Sequence, residues 1–181
     1  MHTKVLLVSE DYVKTNSNLN ENIWGQYLMP AIRESQEIGL QSILGTCLYE
    51  KLLDLVDDGH IVDPENEQYK TLLDDYIQDY LMYQTINSLI PIIGTKIANL
   101  GTVISNDEHV VGLTEGERDN LKTHYLYIAD HYCKRMQQFL LNNMSAFPEL
   151  NACDCERMRS NLHSAANIGL WVGGYRGRKI R

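Results

Sequence analysis

The spacing of apolar residues in the middle of the chain limits the possible folds more than any other feature. Tyr69, Leu72, Leu73, Tyr76, Ile77, Tyr80 and Leu81 recur every three or four positions. A helix over that stretch gathers them into one broad stripe, which other elements have to cover. The helix start is signalled by "DPEN", Asp63 to Asn66, a capping Asp followed by Pro at the first helical position. Pro91, in "INSLIPII", bends or ends it. A second long helix opens at "TEGE", where Thr114 and Glu117 stand at capping-box spacing. It carries Leu121, Tyr125, Ile128, Tyr132, Met136, Phe139 and Leu140 on one face and fades at "NNMSAFPEL".

The N-terminal part reads as shorter pieces. Lys4 to Ser9 is a strand candidate and not a signal peptide, because its apolar run is short and has no small-residue cleavage site after it. Thr15 to Asn22 is a polar loop able to cap a helix. Ile23, Tyr27, Ala31, Ile32, Ser35 and Ile38 then follow a helical period, which Pro30 kinks or restarts. Gly39 and Gly45 bracket one apolar turn. Thr46 is placed to cap a helix with Leu48, Leu52, Leu55 and Val56 on one face, and Asp57-Asp58-Gly59 ends it. Lys96 to Gly112 has β-branched residues on both sides of a polar tip, Ser105 to His109, the pattern of a β-hairpin or an extended arm.

These readings add up to a mainly α chain: a helical bundle of about four main helices, with a β-hairpin arm and extended N- and C-terminal segments. Residues 1–150 form the helical domain, with the arm at about 96–112. Residues 151–181 form an extended C-terminal arm with a basic end. No apolar run approaches the roughly 20 residues of a membrane span, so no membrane partner is expected.

Catalytic chemistry finds no foothold. Gly39 and Gly45 do not make a phosphate loop, because Gly45 is followed by Thr46 with no Lys beside it. Gly45 reads instead as a tight backbone step between helices. His124 and His131 stand seven apart on one helix, not at the ligating spacing of three or four, and read as partly exposed helix histidines. Asp74, Asp75 and Asp79 alternate with the apolar stripe, which puts them on a solvated face. Cys133 lies inside the long helix as a small core or interface residue. Cys47, Cys133, Cys153 and Cys155 have no zinc-finger spacing and read as reduced, buried or incidental thiols, fitting a reducing cytosol. The expectation is a chain that is not an enzyme, with no catalytic, cofactor-binding or metal-binding residues.

Charge and aromatic content point to contacts. Four of the 16 basic residues, Arg176, Arg178, Lys179 and Arg181, fall in the last six positions, leaving 12 basic against 24 acidic in the body. An acidic body does not bind nucleic acid by neutralising its backbone. A basic tail on it seeks an acidic protein surface or a copy of itself. Eleven tyrosines stand against two phenylalanines. Tyr76, Tyr80, Tyr83, Tyr125, Tyr127 and Tyr132 occupy more than one helix face. Either neighbours pack on both sides of the bundle, as in a ring, or these are ordinary amphipathic edges.

The stretch "QSILGTCLYEKLLD", Gln41 to Asp54, resembles a segment Q-P-I-L-G-x-x-L-Y-x-x-L of head-to-tail connector proteins from crAss-like and related Bacteroidetes phages. Gln36-Glu37-Ile38 matches the acidic turn before it, "YKTLLDDYI" the helix after it, and "KIANLG", Lys96 to Gly101, a following arm. The likeness covers roughly Leu19 to Gly101, and Ser42 stands where the family often has Pro. It implies a virion structural protein, an adaptor that forms a ring under the portal around the DNA channel, in the twelvefold order of the portal. The implied partners are the portal protein, other neck or tail ring proteins and further copies of the chain, with encapsidated DNA passing through without sequence-specific binding. The implied location is the virion neck, after synthesis in the bacterial host cytoplasm. The C-terminal arm would contact the portal or a neighbouring subunit through Trp171, Tyr175, Arg176, Arg178, Lys179 and Arg181, while Gln41, Gly45, Leu48 and Tyr49 would form a structural corner. The competing reading is a small cytosolic helical enzyme or regulator that uses the acidic helix face around Asp75 and Asp79.

Overall fold

The computed structural model describes residues 5–19, 23, 25–93, 95–98, 101–104, 114–151 and 157–162. The chain is mainly α. Helix α1 is Glu10–Asn16. Helix α2 covers 25–44, as an α-helix Gly25–Glu34, a π-helical stretch Ser35–Leu40 and a last turn Gln41–Leu44. Helix α3 is Thr46–Asp57. Helix α4 covers 67–89, again with a π-helical stretch, Leu73–Ile77, between Glu67–Leu72 and Gln78–Leu89. Helix α5 is Glu115–Asn142. The four longer helices are those expected from periodicity. Pro30 lies inside α2 and does not end it.

The π-helical stretches have a physical cause in the sequence. On α2 the buried residues Leu28, Ile32, Gln36, Leu40 and Leu44 are spaced by four. On α4 so are Leu73, Ile77, Leu81, Thr85 and Leu89, all buried. An α-helix turns about 100° per residue, so each step of four rotates the stripe by about 40° and would carry its end away from the core. The wider π turn takes up an extra residue and keeps the stripe facing inward. The two stripes meet. Ser35 Oγ lies 3.4 Å from Ser88 Oγ, and a Cβ on Gly39 would sit 2.7 Å from the Tyr80 hydroxyl. Gly39, read as one end of a short turn, is thus a point of close helix approach within α2. Thr85 is fully buried, and its Oγ1 has no hydrogen-bond partner.

Aromatic contacts join α4 to α5. Tyr76 stacks on Phe139 with ring centroids 4.4 Å apart, and Tyr83 stacks on Tyr132 at 5.2 Å. The Arg135 guanidinium lies over Tyr76 and Tyr132, at 5.6 and 5.4 Å. The fully buried Phe147 closes the end of the pair, edge-on to Tyr69 at 5.4 Å. These tyrosines therefore pack within one chain, which answers part of the two-face question without a neighbour.

Several local readings are corrected. Residues 5–9 form no strand. Ser9 caps α1, accepting the Tyr12 amide N–H at 3.0 Å, and α1 takes in the start of the stretch read as a loop. Thr46 is not a cap; Gly45 holds that place and offers no side chain. Asp63 pairs with His60 at 2.8 Å, and Pro64–Asn66 make a 3-10 turn, so α4 begins only at Glu67. The expected β-arm is not supported. The pairing present is a short antiparallel one, Thr95–Ala98 with Gly101–Ile104, in which Thr95 pairs with Ile104 and Ala98 with Gly101. It ends before the Ser105–His109 tip, which lies outside the described residues. The capping box of Thr114 and Glu117 is present in full, and its hydrogen bonds lower the Glu117 carboxyl below its usual value.

The N-terminal segment is held by one side chain. Gln36 is 3% exposed; its Oε1 accepts the Leu7 amide N–H at 2.9 Å, and its Nε2 donates to the Val5 carbonyl at 2.9 Å and the Tyr49 hydroxyl at 3.0 Å. Replacing Gln36 with Leu keeps the volume but strands two backbone groups, so we predict a loss of about 2–4 kcal/mol. Tyr49→Phe removes one bond and should cost about 1 kcal/mol. Urea midpoints of the two variants check the ranking; equal losses would sink the assignment of Gln36 as the joint.

Candidate interaction site

The corner between α2 and α3 is where the chain's own C-terminal segment docks. A helix end leaves carbonyl groups without partners, and a helix start leaves amide groups without them. At this corner both kinds lie side by side, and residues 157–162 satisfy them. The Thr46 amide N–H donates to the Met158 carbonyl at 2.9 Å, and the Asn161 amide N–H donates to the Ser42 carbonyl at 3.2 Å. The Ser160 hydroxyl, 5% exposed, donates to the Ile43 carbonyl. Leu162 is buried beside it, and Arg157 Nη1 reaches Glu50 Oε2 at 2.7 Å. From α5, Gln137 Nε2 donates to Asn161 Oδ1 at 3.2 Å.

Gly45 makes the slot. Its φ of 77° and ψ of 160° lie in a region open essentially to glycine alone. A Cβ there would also come within 2.7 Å of the Ser160 amide nitrogen and 3.2 Å of the Met158 carbonyl oxygen. The structure brings the four corner residues together. Gln41 Nε2 bridges the break to Thr46 Oγ1 at 3.3 Å, Leu48 is fully buried, and Tyr49 is buried against Gln36. Trp171, Tyr175, Arg176, Arg178, Lys179 and Arg181 lie outside the described residues. Sequence reading missed Met158, Ser160 and Asn161, which stand in a stretch without periodicity. It also passed over Gln36 as a joint, although a polar residue midway between Ile32 and Leu40 on a core stripe was a usable signal.

The acidic face differs from its reading. Asp74 and Asp75 are exposed, but Asp79 is half-buried, with the Tyr12 hydroxyl donating to its Oδ1 at 3.4 Å. Loss of water raises the Asp79 carboxyl, against the lowering effects of the Tyr12 hydrogen bond and Arg135. A cavity of about 220 Å³ opens between α4 and α5, lined by Glu67, Gln68, Thr71, Phe139, Asn143 and Phe147. Asp75 and Asp79 do not line it. His124 and His131 are exposed. Among the described residues no group of three His, Cys, Asp or Glu is placed to hold a metal ion, and no helix is long and apolar enough to cross a membrane. Cys133 is free, and burial pushes its thiol up to about 11, which keeps it unreactive. The cysteine reading fails at Cys47, which is disulfide-bonded.

Two outcomes follow. Gly45→Ala forces a disfavoured backbone and a clash with the docked segment, so we expect a loss of about 2–4 kcal/mol. It should also speed tryptic cleavage after Arg157 and Arg159; unchanged cleavage would mean that the slot tolerates a side chain. For Asp79, a raised native carboxyl means that the folded state holds its proton more tightly than the unfolded one. Its contribution is then full below the unfolded value and is lost as pH rises through the native value. Asp79→Asn should flatten that part of the stability–pH profile, measured by denaturant midpoints across the carboxylate range.

No curated protein and no solved structure matches the chain. One family does, over residues 40–160, about two thirds of the sequence, a span that takes in the corner and the docked segment as far as Ser160. The chain belongs to the family of unknown function DUF6712.

Proposed function

We propose that this chain is a virion structural protein, a head-to-tail connector subunit that forms a ring under the portal of a phage. The observation that carries the reading is the first half of α5. At about 1.5 Å per residue, its 28 residues extend about 42 Å. Its buried residues, Ala129, Met136 and Leu140, all fall in the second half. Over 115–128 no residue is buried, yet Leu121, Leu126 and Tyr127 are 36%, 49% and 76% exposed. These three side chains point in different directions around the helix, at about 100° per residue, and form no single patch; the support they give is that this half of α5 buries no face against the described residues and is open to a neighbour on any side. The order of the segments at Gln36–Ile38, Gln41–Asp54, Tyr69–Ile77 and Lys96–Gly101 supports the same reading by resemblance.

In this proposal α5 packs against the next subunit, and one heterologous contact repeats until the ring closes. Residues 96–112 and the basic end at Trp171 to Arg181 extend that contact to neighbours or the portal. The chain then works in the virion neck without catalysis, cofactor or membrane, and DNA passes through unread. The alternative, an enzyme or regulator using the acidic face, called for a pocket around Asp75 or Asp79; the cavity between α4 and α5 lies elsewhere.

Sedimentation velocity, with and without the portal protein, tests the reading. The expected result is a closed oligomer, or a monomer that joins the portal. Leu121→Glu with Tyr127→Glu should abolish the assembly while leaving helix content and the urea midpoint nearly unchanged. A wild-type chain that stays monomeric and does not join the portal would overturn the proposal.

A further inference from the structure

We propose that the cavity between the start of α4 and the end of α5 is a binding site for an alkylguanidinium group. The inference does not rest on the connector reading.

The cavity, about 220 Å³, is lined by Glu67, Gln68 and Thr71 of α4, by Phe139 of α5, and by Asn143 and Phe147 just beyond it. An apolar cavity of about 150 Å³ is enough for a benzene ring, so this one has room for a flat guanidinium and part of its alkyl stem. Glu67 and Gln68 are exposed, whereas Phe147 is fully buried. The site therefore has a polar, wet edge and an aromatic interior. Phe139 and Phe147 meet at 62° with ring centroids 6.0 Å apart. Tyr76 stacks on Phe139, and Tyr69 meets Phe147 edge-on, so neighbours hold both rings. Aromatic faces attract cations, and the chain shows this chemistry elsewhere on the same helix pair, where the Arg135 guanidinium lies over Tyr76 and Tyr132.

The polar groups of the lining suit a donor. Asn143 Nδ2 donates to the Phe139 carbonyl at 2.8 Å, which leaves its Oδ1 to accept. The Glu67 carboxylate, the Gln68 amide oxygen and the Thr71 hydroxyl can accept as well. Glu67 carries the one charge among the described residues that line the cavity. The first turn of α4 and the last turn of α5 both border it, so their positive and negative dipole ends oppose each other and leave that charge dominant. A second carboxylate stands close by, because the Tyr69 hydroxyl holds Glu149 at 3.0 Å. An anion is repelled here. A metal ion would find a single carboxylate. An ammonium group is a compact, strongly hydrated point charge, whereas a guanidinium is planar, weakly hydrated and presents a fork of N–H donors. Its flat face fits the rings and its edge fits the acceptors.

Ligand-observed saturation-transfer NMR on the full-length chain tests the site, with 1-butylguanidinium and butylurea as probes. The two have the same shape, and only the first is charged. Butylguanidinium should bind about tenfold or more tightly than butylurea. Glu67→Gln should erase that difference; Glu67 is exposed, so the urea midpoint of this variant should match the wild type. Thr71→Leu, which fills the cavity, should weaken both probes. The peptide acetyl-Gly-Arg-Gly-amide distinguishes two sources of the group. Its binding assigns the site to an arginine side chain of a protein, and its exclusion while butylguanidinium binds assigns it to a free alkylguanidinium compound. Equal affinity for the two probes, no binding of either, or a preference that survives Glu67→Gln would overturn the proposal.

Discussion

The carboxamide of Gln36 occupies a position on the core stripe of α2 where an apolar residue would fit. It turns one core position into a three-way joint. Through it the N-terminal segment gains a main-chain-like pair of bonds at Val5 and Leu7, and α3 is tied to α2 through Tyr49. Buried polar groups of this kind are costly unless every donor and acceptor is matched, and here they are. The angle of α2 to α3 is therefore held on both sides of the break. Gln36 holds it from within the core, and the docked segment holds it from outside.

The helices were legible because their signals are local. The stripes along 69–81 and 121–140, the Thr114–Glu117 box and the Asp57-Asp58-Gly59 stop depend on neighbours three or four positions away. What stayed hidden depends on distant partners. Nothing near Ser160 tells that it will meet Ile43, more than 100 residues earlier in the chain. The Asp79 reading failed for a related reason: its own helix puts it outward, and α1 then covers it through Tyr12. Lys4 to Ser9 reads as a strand because its apolar run, with Val5 and Val8, prefers extended backbone. It bonds to a side chain instead of a second strand.

Gly45 has the tight backbone step between helices that the sequence suggests, but only half of its reason is visible there. A glycine between two helices announces a turn. It does not announce that a third segment lies over the turn and that its backbone comes too close for any side chain. The free positive-φ geometry and the close approach act on the same residue. The corner residues Gln41 and Leu48 support that residue from the two helices it joins.

The π turns carry a consequence for how this chain can change in length. Each amounts to one surplus residue folded into a helix without breaking it. Deleting one exposed residue from Ser35–Leu40, such as Glu37 or Ile38, would return a plain α-helix whose far end keeps its present direction, with the Ser42 and Ile43 carbonyls still turned toward Asn161 and Ser160. A deletion in Leu73–Ile77 would likewise leave the rest of α4 in register with α2. A deletion in a plain α-helical turn of either helix would instead rotate everything downstream by about 100°. The two π turns are thus the places inside these helices where the loss of one codon leaves the direction of the chain unchanged.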